Sequence, residues 1–98
     1  MASPLSFAEF QDFIRQHYHP RDSARGTPAT FMWLMEEVGE LASALQKDAS
    51  HPNPQALADE FADVLGWLAT LANMHGVDLE EALRRKYMDR SDPAIHKS

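Results

Sequence analysis

From Phe31 to Leu45 and again from Leu57 to Ala72, apolar residues recur every three or four positions, and nowhere in the chain do they alternate. The first set is Phe31, Leu34, Val38, Leu41 and Leu45; the second is Leu57, Phe61, Val64, Leu68, Leu71 and Ala72. That period belongs to the α-helix, so each stretch can bury its stripe only as an amphipathic helix, and no strands are expected. Both stretches open alike, with Thr27-Pro28 and Asn53-Pro54 reading as a cap followed by proline at the first helical position, where the missing N–H is no loss. Ser6-Phe7-Ala8-Glu9 is a capping box that opens an earlier helix to about His17, with Pro20 as its stop and His19 to Gly26 as a loop. Gly76 is placed to end the third helix in a left-handed cap, and Asp78-Leu79-Glu80-Glu81 starts a fourth, carrying Leu79 and Leu83 and fraying before Pro93. Short connections make successive helices antiparallel neighbours, so the expected architecture is an all-α four-helix bundle, one domain spanning residues 1–98.

Several classes of function are excluded by what the chain contains. It has no cysteine, which removes disulfide scaffolds, thiol chemistry and cysteine-based zinc sites. Its net charge of -6 repels a nucleic-acid backbone, so no nucleic-acid partner is expected. The longest apolar stretch, Phe61 to Met74, contains Asp63 and falls short of the roughly 18 to 20 residues of a membrane span. Met1 to Ser6 shows neither the basic nor the apolar segment of a secretion signal, and the cytoplasm is the expected compartment. A chain of 98 residues buries only a little over half its surface alone. Apolar residues on the third helix spread from Trp67 through Leu71 to Phe61 and Leu65, wider than such a chain covers by itself, so a homodimer or homotetramer, a dimer of dimers, is expected.

The chemistry-bearing residues are acidic. Glu36, Glu37 and Glu40 lie on the second helix, Glu60 and Asp63 on the third. A spacing of three advances a helix by roughly 300°, which puts Glu37 with Glu40 and Glu60 with Asp63 on common faces. Measured from Leu34, Glu37 lies roughly 60° and Glu40 roughly 120° to one side of the apolar stripe, while Glu36 turns outward; measured from Val64, Glu60 lies roughly 40° away, at the edge of the buried arc. Glu40 is roughly 10 Å from the end of its helix, and Glu60 and Asp63 roughly 9 to 13 Å from the start of theirs, so the pairs are level across the hairpin. Four carboxylates converging beside a core repel one another and lose hydration, a cost that divalent cations remove. All-oxygen ligation without histidine or cysteine suits Mg²⁺, with Mn²⁺ as a substitute, and leaves coordination positions for water and substrate phosphates. The bland alternative is a pair of solvated acidic helix faces, a common arrangement on helical proteins.

Arg84, Arg85, Lys86 and Arg90 form a basic cluster in this acidic chain. On a regular helix Lys86 and Arg90 extend the inward stripe of Leu79 and Leu83, so both are candidates to hold a polyphosphate, while Arg84 and Arg85 point to solvent. Trp33 precedes Glu37 by one turn and Trp67 follows Asp63 by one turn; either can stack a nucleobase, although packing is the commoner role for aromatics beside an apolar stripe. Arg21 and Arg25, in the expected loop, suit either a lid over bound nucleotide or a solvated loop. None of His17, His19, His51, His75 and His96 follows a glutamate by three, so the Glu-x-x-His signature of di-iron bundles is missing.

At Glu36-Glu37-Val38-Gly39-Glu40-Leu41 and Glu60-Phe61-Ala62-Asp63-Val64-Leu65 the sequence resembles the MazG-like nucleotide pyrophosphohydrolases, members of the all-α NTP pyrophosphatase superfamily, with their EExxE and ExxD motifs. The resemblance runs from about Thr27 to Arg90. It implies hydrolysis of a nucleoside or deoxynucleoside triphosphate to the monophosphate and pyrophosphate, with Glu37, Glu40, Glu60 and Asp63 binding Mg²⁺. Glu36 would be a further ligand, a residue behind the ligands or the base that orients water, and Glu36 and Glu37 are the candidate catalytic residues. Lys86 fits a basic position of the family's last helix, where a common continuation has asparagine at the position of Arg90. Phosphoribosyl-ATP pyrophosphohydrolases are similar in length but tend to carry Tyr-His where this chain has Gly66 and Trp67. Outside the enzymes, the competing reading is a helical interaction module with an acidic groove.

Overall fold

The computed structural model describes residues 3–89, and within them the chain is all-helical. Four α-helices follow in order: α1 (Phe7–Arg25), α2 (Thr27–Asp48), α3 (Pro54–Met74) and α4 (Leu79–Leu83), the last running into one π-helical turn, Arg84–Met88. The five-residue link 49–53 turns α3 back along α2, α1 packs across α3, and α4 docks on α1.

The capping signals explain most boundaries. At the start of α1 the Glu9 amide donates to Ser6 Oγ at 3.0 Å while the Ser6 amide donates to Glu9 Oε1 at 3.3 Å, a reciprocal pair. Asn53 caps α3, its side-chain oxygen accepting from the Ala56 amide at 3.1 Å, and Asp78 caps α4 through the Glu81 amide at 3.0 Å. Gly76 takes φ +66, the left-handed conformation expected after α3.

Three expectations are corrected. Pro20 does not end α1, which continues to Arg25. Proline's fixed φ is compatible with a helix although one backbone bond is lost, and the turn beyond it is held from outside. The Arg25 guanidinium lies 4.9 Å from the centre of the Trp67 ring and donates to Thr30 Oγ1 at 3.2 Å. The link from α1 to α2 is therefore the single residue Gly26, whose φ of 86 and ψ of 164 fall in a region essentially reserved for glycine. Thr27, accordingly, does not cap α2: Gly26 occupies the cap, and the Thr27 hydroxyl meets His75 Nε2 at 2.9 Å. Finally, α4 does not run on as a regular helix. The Asp89 amide reaches back five residues to the Arg84 carbonyl at 2.7 Å, the wider turn of a π-helix.

The fully enclosed interior is small. Ile14 of α1, Leu34 of α2 and Ala69 and Ala72 of α3 are its buried apolar residues, with Thr30, Thr70 and Gln11 beside them. Thr30 is satisfied by its own helix, Oγ1 donating to the Gly26 carbonyl at 2.8 Å. Gln11 is the larger exception to apolar burial. Its Nε2 donates to Asn73 Oδ1 at 3.1 Å and to the Val77 carbonyl at 2.6 Å, and its Oε1 accepts from the Leu79 amide at 2.9 Å. One side chain thus pins α1 to the turn between α3 and α4.

Candidate active site

The facing surfaces of α2 and α3 bring Glu37, Glu60 and Asp63 together. One carboxylate oxygen from each lies within 4.8 Å of the others. Three-residue spacing places Glu60 and Asp63 on one side of α3, and packing of α3 along α2 brings Glu37 against them. Glu37 and Glu60 are half-buried and Asp63 is exposed. One oxygen on each glutamate, Oε2 in both, is shielded from water with no hydrogen-bond partner among the described residues.

The electrostatics follow from that crowding. Burial first, then the negative charges of Glu40, Asp63, Glu60 and Glu36, pushes the Glu37 carboxyl above its ordinary range. Glu60 is raised for the same reasons, burial first and then Glu40, Asp63 and Asp59. Shielded carboxylate oxygens without donors are costly in any structural role. Their fit is to a hard divalent cation, which takes oxygen ligands of this type.

Glu40, the fourth expected ligand, is exposed and adjoins this trio as a charged neighbour without joining its closest contacts. Glu36 is also exposed, as its outward wheel position predicts. Together with Glu60, both line a cleft of about 820 Å³ that runs along α2 and α3 toward Lys47 and His51. Asp63 opens on the other side, into a cavity of about 370 Å³ bordered by Tyr18, Arg21, Arg25, Gly66 and Trp67. The carboxylates therefore stand between two concavities.

The remaining candidates are distributed unevenly. Trp33 and Trp67 stack on each other, ring centres 6.1 Å apart and planes 11° from parallel. Lys86 does not continue an inward stripe: it is exposed, in the π turn, with Nζ 5.4 Å from the centre of the Tyr87 ring. The change of helical register beyond Leu83 invalidates an angular wheel drawn from Leu79. Arg90 lies outside the described residues. Arg84 and Arg85 are exposed and pair with Glu80 at 4.0 Å and Glu81 at 3.6 Å. What the sequence does not show is the helical placement of Arg21 and Arg25 at the Asp63 cavity, because Pro20 reads there as a helix stop.

Comparison with known proteins identifies the family of the chain. The MazG nucleotide pyrophosphohydrolase domain matches residues 26–94, a span that contains both acidic motifs. YvdC of Bacillus subtilis (strain 168), itself uncharacterised, is 31% identical over 93 residues, covering 82% of this chain and 88% of the relative. The dATP/dGTP diphosphohydrolase of Cyanophage S-2L is 39% identical over 83 residues, covering 85% of this chain and 71% of the relative. By the match of its greater part and by these relatives, the chain belongs to the MazG nucleotide pyrophosphohydrolases.

Proposed function

We propose that the protein is a Mg²⁺-dependent hydrolase of deoxynucleoside or nucleoside triphosphates, releasing the monophosphate and pyrophosphate. The observation that carries this reading is the trio Glu37, Glu60 and Asp63, with its two shielded, unpartnered oxygens. Glu40 completes the proposed ligand set from the cleft side, and Mn²⁺ would substitute for Mg²⁺ in the same oxygen environment. When bound, the cation would supply neutralisation of phosphate charge and a more acidic water. The chain's own residues do the rest. Glu37 and Glu60 hold their ligand oxygens in fixed, dehydrated positions, and exposed Glu36 stands at the cleft to accept the proton of the attacking water. No side chain is required to form a covalent intermediate.

The cyanophage relative acts, by its name, on dATP and dGTP, and purine deoxynucleotides are accordingly the first substrates to try. Trp33, 47% exposed at the edge of the Trp33–Trp67 stack, is the proposed surface for a base. Lys86 and Arg90 remain part of the proposal as phosphate contacts, and Lys86 would have to leave the Tyr87 ring to make one. The one-domain reading over residues 1–98 and a cytoplasmic location belong to the same proposal; no helix among the described residues is long and apolar enough to cross a membrane.

Self-association is proposed on the same footing. Phe31, Met35, Phe61, Leu65 and Leu68 on α2 and α3 are each between 42% and 49% exposed, and a second copy of the chain would cover them. Light scattering at micromolar concentration should find a dimer or a dimer of dimers, and a clean 11.1 kDa particle would contradict that. The reaction itself is tested by ³¹P NMR of dATP and dGTP incubated with protein and Mg²⁺. Monophosphate plus pyrophosphate is expected; diphosphate plus inorganic phosphate would place the cleavage at the wrong bond.

A further inference from the structure

A substrate carrying a polyphosphate must find cations on a chain whose net charge is -6. Among the described residues Lys47 lines the larger cleft, and several other basic side chains are already engaged. Arg15 pairs with Asp12, Arg84 with Glu80 and Arg85 with Glu81, and Lys86 lies over Tyr87 in the π turn that follows α4. Two arginines border the cavity into which Asp63 opens, and Arg25 already has partners of its own. Arg21 and Arg25 are four residues apart on the continued part of α1 and so share a face. The Arg25 guanidinium is set over Trp67, one turn beyond Asp63 on α3, and steadied by Thr30 Oγ1.

We infer that Arg21 and Arg25 hold the diphosphate end of the substrate, and the pyrophosphate product, in the cavity beside Asp63. The inference rests on the pyrophosphohydrolase reading above for the identity of the anion. The guanidinium is a planar fork of donors matched to phosphate oxygens, and a fork already placed by stacking loses less freedom on binding. The diphosphate is thereby held beside Asp63, at the edge of the carboxylate cluster. Continuation of α1 through Pro20 is what makes this possible, since a loop at 19–26 would leave both arginines unplaced.

Calorimetric titration of the full chain with inorganic pyrophosphate, and separately with dAMP, both in Mg²⁺, tests the assignment. Arg21→Gln should weaken pyrophosphate about ten-fold, the scale of one charge-assisted contact, and Arg21→Gln combined with Arg25→Gln by about a hundred-fold. The dAMP affinity should stay within about two-fold in both, because a merely structural defect would move both ligands. Arg25→Lys, which keeps the charge and loses the fork, should fall between wild type and the double variant. If the double variant fails to fold, exposed Arg21 decides alone. Unchanged pyrophosphate affinity in Arg21→Gln, equal loss of dAMP, no pyrophosphate binding by wild type, or a loss that appears in Lys86→Gln or Lys47→Gln instead would each overturn the assignment. The two readings fail separately: wild type that binds pyrophosphate through these arginines but hydrolyses no triphosphate contradicts the enzyme proposal alone, and turnover with arginine variants unaltered contradicts this one alone.

Discussion

Gln11→Ala is the substitution whose effect the structure specifies most fully. It removes three hydrogen bonds, from Nε2 to Asn73 Oδ1 and the Val77 carbonyl and from the Leu79 amide to Oε1. Gln11 is only 8% exposed, so the stranded partners are not simply returned to water. At about 1 kcal/mol net for each bond, the loss comes to about 3 kcal/mol, equivalent to a fall of roughly 12 to 24 °C in melting temperature for a domain of this size. Urea unfolding followed by circular dichroism, at one fixed protein concentration, measures it. Amide exchange adds a local readout, since the Leu79 N–H should lose its protection in the variant while amides in the middle of α2 keep theirs. Gln11→Glu sharpens the test. It preserves shape and the acceptor for Leu79 but turns an acceptor toward Asn73 Oδ1 and the Val77 carbonyl. It should therefore be at least as damaging at neutral pH, and less so below about pH 4, where the carboxyl can donate. A loss under about 1 kcal/mol for Gln11→Ala, or unchanged exchange at Leu79, would refute the reasoning. Because α1 also carries Arg21 and Arg25, the same variant should weaken pyrophosphate binding more than metal binding.

Other perturbations test separate parts of the account. Glu37 and Glu60 have carboxyl pKa values raised from 4.5 in the folded chain, so above that pH the folded state binds more protons than the unfolded one; metal-free protein should lose stability as pH rises above 4.5. Thermal melts in chelator measure this, with a smaller pH dependence expected in Glu37→Gln; an identical dependence in both would show that the cluster is not its source. Glu37→Gln with Asp63→Asn should abolish pyrophosphate release while the metal-free chain melts at or above the wild-type temperature, whereas a lower melting temperature would mean the carboxylates are structural. Pro20→Ala should stabilise the chain by about 2 kcal/mol, the helix-interior penalty of proline less the entropy it removes from the unfolded chain; destabilisation would return residues 19–25 to a loop. Gly26→Ala meets open space, with no atom within 4 Å of the added carbon, yet should cost about 1 to 3 kcal/mol because of its backbone angles, and a neutral result in urea would contradict the tight α1–α2 junction.

The parts of the molecule legible in the sequence are those decided by short-range geometry. Asn53 before Pro54, Gly76 after α3 and the Ser6–Glu9 box each act within one helical turn, so their residue types suffice. The same holds for Glu60 and Asp63, whose common face is dictated by spacing, and two proline-initiated helices joined by a short link are enough to bring Glu37 to them. Contacts between distant elements were not legible. Nothing near Pro20 announces that Trp67, far along the chain, will hold Arg25. Gln11 carries no periodic signal that marks it as the polar clamp of three segments. The π turn at Arg84–Met88 is a choice of hydrogen-bond register that angular patterns assuming a regular helix cannot express, and it is why Lys86 sits on a different face from the one expected. Thr27 shows a subtler failure: its residue type suits a cap, but the one-residue junction requires glycine in that place.

The central claim is that the Glu37, Glu60 and Asp63 cluster, with Glu40, works through a divalent cation on nucleoside triphosphates. Its most direct test is pyrophosphate release from a panel of ribo- and deoxyribonucleoside triphosphates, dATP and dGTP included, measured with Mg²⁺, with Mn²⁺ and with chelator. The account predicts metal-dependent release that chelator abolishes and added Mg²⁺ restores. Release that persists in chelator, or silence across the panel while Mg²⁺ still binds the cluster, would contradict it.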